Sequence, residues 1–255
     1  MKICVAQTRP IKGDIPGNID NHKKLIELAV SNGADIIVFP ELSLTGYEPT
    51  LAKKLATNTE DSRFDDFQKI SDTRQVIIGV GVPIKNETGI CISMILFHPG
   101  KIRQTYSKRF LHSDEEGFFI PGQNSSAIIN NKPNMALAIC YELSVPEHAE
   151  NASKSGADIY IASVAKSITG IDNALHRLSG IADKYGMTVL MSNCIGQSDG
   201  TECAGRTSIW NSKGILIGQL DGKNEGILII DLDTKEIIDS TIEKLSTGTS
   251  LENAG

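Results

Sequence analysis

Twice in this chain a helix-patterned stretch runs into Gly-Ala-Asp and on into a β-branched apolar run: Ser31-Asn32-Gly33-Ala34-Asp35-Ile36-Ile37-Val38, and again Lys154-Ser155-Gly156-Ala157-Asp158-Ile159-Tyr160-Ile161. Each reads as a helix end, a glycine cap and a buried strand. A helix-strand unit used twice suggests two pseudo-equivalent halves, each a sheet with helices outside, packed face to face around one core. Short glycine-capped links also recur in any α/β fold, so the echo by itself leaves both readings open.

The rest of the chain keeps the alternation of short Val/Ile-rich runs with segments of helical period, which is α/β construction. Strands are predicted at Ile3–Gln7 and Ile36–Phe39, around a helix over Asn18–Asn32 that places Ile19, Leu25, Ile26, Ala29 and Val30 on one face. A helix across Arg63–Arg74 leads to strands at Val76–Val82, Cys91–Phe97 and Ile102–Tyr106, which read as hairpin-linked, the last two through Pro99-Gly100. Beyond a turn cluster at 130–134 come a strand at Met135–Ile139, a helix near Glu147–Ser155, a strand at Ile159–Ser163, a helix at Ile171–Tyr185 and a strand at Thr188–Ser192. Antiparallel strands at Ser208–Trp210, Leu216–Leu220 and Gly226–Asp231 close a single domain over residues 1–233. From Thr234 the sequence is mostly polar, and 234–255 reads as an exposed arm or an oligomer contact.

Composition narrows the function classes. With 255 residues, 40% of them hydrophobic and 22% charged, the chain has the makings of a folded soluble protein. A net charge of -6 lacks the basic excess of a nucleic-acid binder. Asp35 and Glu41 bracket the strongest apolar stretch, well short of the roughly 18 to 20 residues that span a bilayer. The opening Met1-Lys2-Ile3-Cys4-Val5-Ala6-Gln7 turns polar too soon for a secretion signal, so a cytoplasmic location is expected. Cysteines 4, 91, 140, 194 and 203 form no Cys-x-x-Cys pair, and histidines 22, 98, 112, 148 and 176 show no metal-ligand spacing. Reduced thiols, surface or supporting histidines, no metal and no cofactor are expected; Gly79-Val80-Gly81 is too short to cradle a phosphate.

Three strand ends deliver side chains that carry chemistry. Glu41 follows Ile36-Ile37-Val38-Phe39-Pro40, at the strand edge where α/β sheets place their ligand sites, although Pro-Glu also simply starts turns and helices. Cys140 lies between a strand and a helix start, a setting that lowers a thiol pKa, although most free cysteines are inert core. Lys108 follows a third strand, where a lysine is ordinarily a solvated charge. Taken together, a nucleophile, a proton carrier and a cation for the tetrahedral oxyanion are what amide hydrolysis needs.

Phe39-Pro40-Glu41-Leu42, Tyr106-Ser107-Lys108-Arg109-Phe110-Leu111 and Ile139-Cys140-Tyr141-Glu142, in this order and at these separations, resemble the three signatures of the carbon-nitrogen hydrolase (nitrilase) superfamily. The resemblance extends to Ala6-Gln7, the Gly33-Ala34-Asp35 junction, Glu115 before Phe118-Phe119-Ile120-Pro121-Gly122, Pro146-Glu147, and Gly205 through Gly214. It implies an αββα sandwich of two mixed sheets, a Glu-Lys-Cys site without metal, and a homodimer or higher homo-oligomer formed across the helical face after the cysteine. In the mechanism it implies, Cys140 attacks, Glu41 carries the proton, and Lys108 with the Tyr141 backbone N–H holds the oxyanion. Glu115 resembles the family's second glutamate, with Glu116 the alternative one residue on.

Tyr141-Glu142 resembles the amidase and carbamoylase branches, since nitrilases proper usually carry Trp at the first of these positions, so a small linear amide is the expected substrate. Arg109, Arg177 and Arg206 are candidates to bind a carboxylate on it, and Tyr47, Glu142, Ala165, Lys166 and Asn193 are candidate pocket walls. Ser144, where Arg often follows the cysteine motif, and Ala182-Asp183-Lys184-Tyr185-Gly186, in place of Ala-x-Glu-Asn, depart from many relatives. The alternatives are an N-carbamoyl amino acid hydrolase or nitrilase with the same triad, a glutaminase subunit supplying ammonia to a synthetase partner, or a non-catalytic interaction protein of the same fold.

Overall fold

The computed structural model describes residues 1–123, 128–129 and 133–242. In chain order its first half runs β1 (Lys2–Gln7), α1 (Ile15–Ser31), β2 (Ile36–Val38), a short α2 (Ala52–Leu55), α3 (Asp65–Arg74), β3 (Ile77–Lys85), β4 (Ile90–Phe97) and β5 (Gln104–Ser107). The second half runs β6 (Ile128–Ile129), β7 (Met135–Ile139), α4 (Pro146–Lys154), β8 (Ile159–Ser163), α5 (Ile171–Tyr185) and β9 (Thr188–Ser192). It ends with β10 (Ile195–Ser198), β11 (Thr201–Ala204), β12 (Ser208–Trp210), β13 (Leu216–Gln219), β14 (Glu225–Asp231) and β15 (Ile237–Ile242). One sheet has the order β15-β14-β1-β2-β3-β4-β5 and the other β13-β12-β9-β8-β7-β6, with β10-β11 a separate hairpin.

Period-two alternation builds the layers. Ile3, Val5, Ile36 and Val38 of the first sheet share one core with Met135, Leu137, Ile139, Ile159 and Ile161 of the second. The opposite faces point outward: Cys4, Ala6 and Ile37 pack on Leu25, Ile26 and Ala29 of α1 and Phe67 of α3. Ala136, Ala138, Tyr160 and Ala162 likewise meet Ala149 and Ala152 of α4 and Leu178 and Ala182 of α5. The result is the αββα sandwich, with each buried aliphatic side chain contributing about 1.5 to 3 kcal/mol.

The repeated Gly-Ala-Asp junction is one device used twice. Gly33 and Gly156 close α1 and α4 at φ 78° and 79°, and Ala34 and Ala157 donate their N–H to Ala29 and Ala152. The aspartates then tie each strand to its parallel neighbour: Lys2 N–H donates to Asp35 Oδ2 at 2.7 Å and Asn134 N–H to Asp158 Oδ2 at 3.0 Å. Consequently β2 and β8 become the middle strands of two parallel triplets, β1-β2-β3 and β9-β8-β7. At the carboxyl ends the sheets are pinned together by Ser163 Oγ donating to Phe39 O at 2.8 Å and Ser192 Oγ to Ala6 O at 2.6 Å.

The structure departs from the sequence reading in two places. The segment read as an arm opens with β15, which pairs with β14 from Ile237↔Ile230 to Ile242↔Glu225; residues 243–255 lie outside the described residues. Cys194 and Cys203 are buried at the base of the unanticipated β10-β11 hairpin, whose polar tip over 199–202 is exposed. The Asp199-Gly200 turn of the hairpin, at φ 47° and 73°, has the Asp-Gly pair that favours a type I′ turn. The first three positions of the turn expected at 130–134 lie outside the described residues.

Candidate active site

Glu41, Lys108 and Cys140 each follow a strand directly or within a few residues, and the inter-sheet pins bring those ends together. Behind β2, the turn Pro40–Thr45 is closed by Ser43 N–H to Pro40 O at 3.1 Å and fastened to β3 by Leu44 N–H to Gly81 O at 3.0 Å. Only glycine fits at 81, because a Cβ there would lie 2.4 Å from both Leu42 N and Pro40 O. Leu42 takes the left-handed conformation at φ 49°, turning Glu41 inward until it is 2% exposed. His22 supports the turn from α1: its Nδ1 donates to Asn18 O at 2.7 Å, which leaves Nε2 to accept from Ser43 Oγ at 2.9 Å. Burial holds the His22 pKa down to about 3, so the imidazole is neutral.

Lys108 follows β5, its N–H on Ile92 O at 2.8 Å and its carbonyl accepting from Gly122 N–H at 2.7 Å. The ammonium is 0% exposed and donates to Glu41 Oε1 at 2.8 Å and Glu115 Oε1 at 2.6 Å. Burial works to lower its pKa, but the charges of Glu41, Cys140 and Glu115 outweigh it and raise the value. Glu115 also accepts from Tyr47 OH at 2.9 Å and from His112 N–H at 2.8 Å. It is 2% exposed, whereas Glu116 is exposed, so Glu115 is the glutamate that meets Lys108.

Cys140 sits where β7 breaks into a 3₁₀ turn, Cys140–Ser144, at φ 43°. A non-glycine residue in that conformation costs on the order of 1 kcal/mol or more and turns its side chain out of the sheet. Among the five cysteines it is partly exposed, while the other four are buried. Burial of the sulfur and the Glu41 charge raise its pKa, opposed by Lys166, Lys108 and the Ala165 N–H. Glu41 is raised by burial, against the pull of Lys108. Its Oε2 is buried with no hydrogen-bond partner among the described residues.

Other expected pocket residues turn out to be braces. Glu142, 0% exposed, accepts from Ile139 N–H at 2.8 Å and Arg109 N–H at 2.7 Å, tying the backbone before Cys140 to the backbone after Lys108. Tyr106 OH donates to its Oε2 at 2.6 Å and contacts His148 Nε2 at 3.1 Å, and His148 Nδ1 contacts Tyr160 OH at 2.9 Å. Histidines 22, 98 and 148 are buried, so of the surface and supporting alternatives the surface one does not apply to them. Asn193, also 0% exposed, holds the Lys166 backbone through Oδ1 at 2.8 Å and Nδ2 at 3.2 Å. Tyr141 lies edge-on to His112 with ring centroids 5.1 Å apart. None of the three arginines is bonded to the triad: Arg109 lies over the Phe110 ring, Arg177 reaches Ser144 O at 3.4 Å and Arg206 pairs with Asp172 at 2.6 Å. Among the described residues no cluster of His, Cys, Asp or Glu could hold a metal ion, and no helix is long and apolar enough to cross a membrane.

Comparison with known proteins bears on the family and the fold. The glutamine-dependent NAD(+) synthetase of Aquifex aeolicus (strain VF5) is 27% identical over 246 residues, 92% of this chain and 43% of that protein, so the chain spans less than half of this relative. The 2-oxoglutaramate amidase of Bacillus subtilis (strain 168) is 26% identical over 210 residues, 81% of each chain. The amidase from Nesterenkonia sp. AN1 superposes with a TM-score of 0.83 at 22% identity, covering 92% of this chain and 94% of that one, a likeness of fold. A mutant of the same amidase carries the acetamide moiety of fluoroacetamide covalently on its active-site cysteine. The family profile for carbon-nitrogen hydrolase matches residues 2–240, through both sheets and all three strand ends, and the chain belongs to the carbon-nitrogen hydrolase family.

Proposed function

We propose that this protein hydrolyses the C–N bond of a small linear amide through a thioester on Cys140, releasing ammonia. One observation carries the reading: Lys108 occupies Glu41 Oε1, and the buried Oε2 meets no N–H or O–H donor among the described residues, which leaves this carboxylate to the Cys140 thiol beside it. A buried carboxylate oxygen whose neighbour is a thiol is placed to take that thiol's proton. Burial also raises the Glu41 pKa above the ordinary carboxylate value, the direction that makes a carboxylate a better proton acceptor.

Glu41 accepts the thiol proton as Cys140 sulfur bonds to the amide carbon, and the carbonyl electron pair moves onto oxygen. Two of the three N–H bonds of Lys108 are committed to carboxylates; the third, with the Tyr141 N–H at the start of the 3₁₀ turn, serves the oxyanion. Glu41 returns the proton to the departing nitrogen and ammonia leaves. A water then gives its proton to Glu41 and its oxygen to the acyl carbon, freeing the carboxylic acid and restoring the thiol. Similarity to the 2-oxoglutaramate amidase supports an amide substrate, and the covalent adduct of the Nesterenkonia amidase supports the cysteine.

The test is ammonia release from simple amides, ω-amides of dicarboxylates, N-carbamoyl amino acids and aliphatic nitriles, with Cys140→Ala as control. Release from amides is expected, with a loss of at least about a thousandfold in the variant. Release from nitriles or carbamoyl compounds alone would move the protein to another branch, and none from any class would favour an interaction protein. A second reading, ammonia supply to a ligase, is favoured by the match of 92% of this chain to part of an NAD(+) synthetase. It requires glutamine to be the preferred amide and an ATP-dependent ligase to co-purify.

A further inference from the structure

We infer that Lys166 is a second catalytic cation, set against Cys140 so that each end of the Cys140-to-Glu41 proton transfer faces its own ammonium group. The inference rests on the reading of Cys140 as the nucleophile and adds a residue outside the Glu-Lys-Cys triad. Strands β7 and β8 run parallel in register to Ile139↔Ser163. The residues beyond their ends therefore emerge side by side, Cys140 from one and Val164-Ala165-Lys166 from the other. The Ala165 N–H and the Lys166 ammonium both act to lower the Cys140 pKa, as groups emerging beside the thiol from the neighbouring strand would.

The segment carrying Lys166 is fastened on both sides. Asn193 takes its N–H at 2.8 Å and donates to its carbonyl at 3.2 Å, and Asn193 Nδ2 also reaches Gly205 O at 2.7 Å. From β11, Ala204 N–H donates to Lys166 O at 2.9 Å, and Ile168 N–H returns to Glu202 O at 2.9 Å, with Ser167 bridged to Cys203 between them. A side chain this long, rooted this firmly, is a directed charge. Yet among the described residues Lys166 makes no ion pair with a carboxylate, whereas Lys108 makes two. A partly buried ammonium needs a compensating anion. The group that acts on it most strongly is Cys140, followed by Glu41.

The physics of the proton transfer gives that arrangement a purpose. Before transfer the negative charge sits on Glu41, 2.8 Å from Lys108, which stabilises the carboxylate directly as well as drawing on the thiol. When the S–H bond breaks and an O–H bond forms at Glu41, the electron pair stays on sulfur and the charge moves away from Lys108. Of the two lysines, Lys166 exerts the larger pull on Cys140, so the charge moves from one ammonium to the other instead of into an uncompensated site. The other titratable groups acting at Cys140 are Glu41 and Lys108 and Tyr47, whose hydroxyl donates to Glu115.

The test reads the thiol and needs no substrate. Alkylation of Cys140 by iodoacetamide is followed by mass spectrometry on its own peptide across pH, with the four other cysteines as internal standards, in wild type, Lys166→Met and Lys166→Arg. Lys166→Met is expected to alkylate about tenfold more slowly at pH 7, its profile displaced upward by about one pH unit, with Arg restoring most of the rate. Should Met fold poorly by thermal melt, Lys166→Gln is read in its place. Superimposable profiles for wild type and the uncharged variant would overturn the inference, as would a rise in KM for carboxylate-bearing amides with the thiol profile unmoved. A wild type that releases no ammonia yet keeps the Lys166-dependent profile would sink the amidase reading and leave only the Lys166 effect on the Cys140 thiol.

Discussion

His148 shows how far one buried side chain can set the behaviour of the molecule. Burial, helped by the Arg109 charge, holds its pKa down to about 4, while in the unfolded chain it titrates near 6.5. Between those values the unfolded state binds the proton and the folded state does not, so stability is full above about pH 6.5 and falls as the pH drops toward 4. The loss attributable to this one group is up to about 3 kcal/mol. Urea denaturation at pH 7 and pH 4 is expected to show a smaller acid loss for His148→Gln than for wild type. An equal loss in both would mean that the Tyr106-His148-Tyr160 contacts admit the charged ring. Because the same chain of contacts ends on Glu142, which joins the backbones flanking Cys140 and Lys108, acid should impair the thiol site before global unfolding.

At the scale of elements, the approach of β3 to the turn behind β2 decides whether Glu41 is aimed. Gly81→Ala places a methyl 2.4 Å from two backbone atoms, neither of which can rotate away as a flexible side chain could. The variant is expected to lose about 1 to 3 kcal/mol of stability and at least about a hundredfold in kcat, since a shift of about 1 Å is enough to misalign a reacting group. Comparing melting temperature with ammonia release checks both. Full activity would show that the turn tolerates the displacement. Gly79, which faces the side chains of Met94 and Leu96 instead of backbone, offers the contrasting position on the same strand.

For the whole molecule, the matter is how two sheets end. Strand β15 covers β14, whose Ile227 and Ile229 are 0% exposed, and removing 237–255 would leave β14 as an uncovered apolar edge. That truncation is expected to lower the melting temperature by several degrees and to produce concentration-dependent association in sedimentation velocity. Unchanged melting and sedimentation would return the segment to the role of a dispensable arm. Full-length protein in the same experiment reports whether the chain forms the homodimer proposed across the helical face after Cys140.

Much of this protein was legible in the chain because its signals are local. Glycine caps, β-branched runs and helical periods act within a few residues, so the order of strands and helices, and the delivery of Glu41, Lys108 and Cys140 at strand ends, follow from sequence alone. Edge strand β15 was not legible, since an edge strand is half wet and its Asp239-Ser240-Thr241 reads as tail. Nor was the choice of Glu115 over Glu116, which depends on whether the loop around Phe119 folds inward. The bracing of Glu142 and the direction of Lys166 likewise depend on groups 33 and 27 residues away. Such pairings exist only once the inter-sheet core has closed, because a carboxylate or an ammonium gives up water for a partner only where packing has already excluded the water.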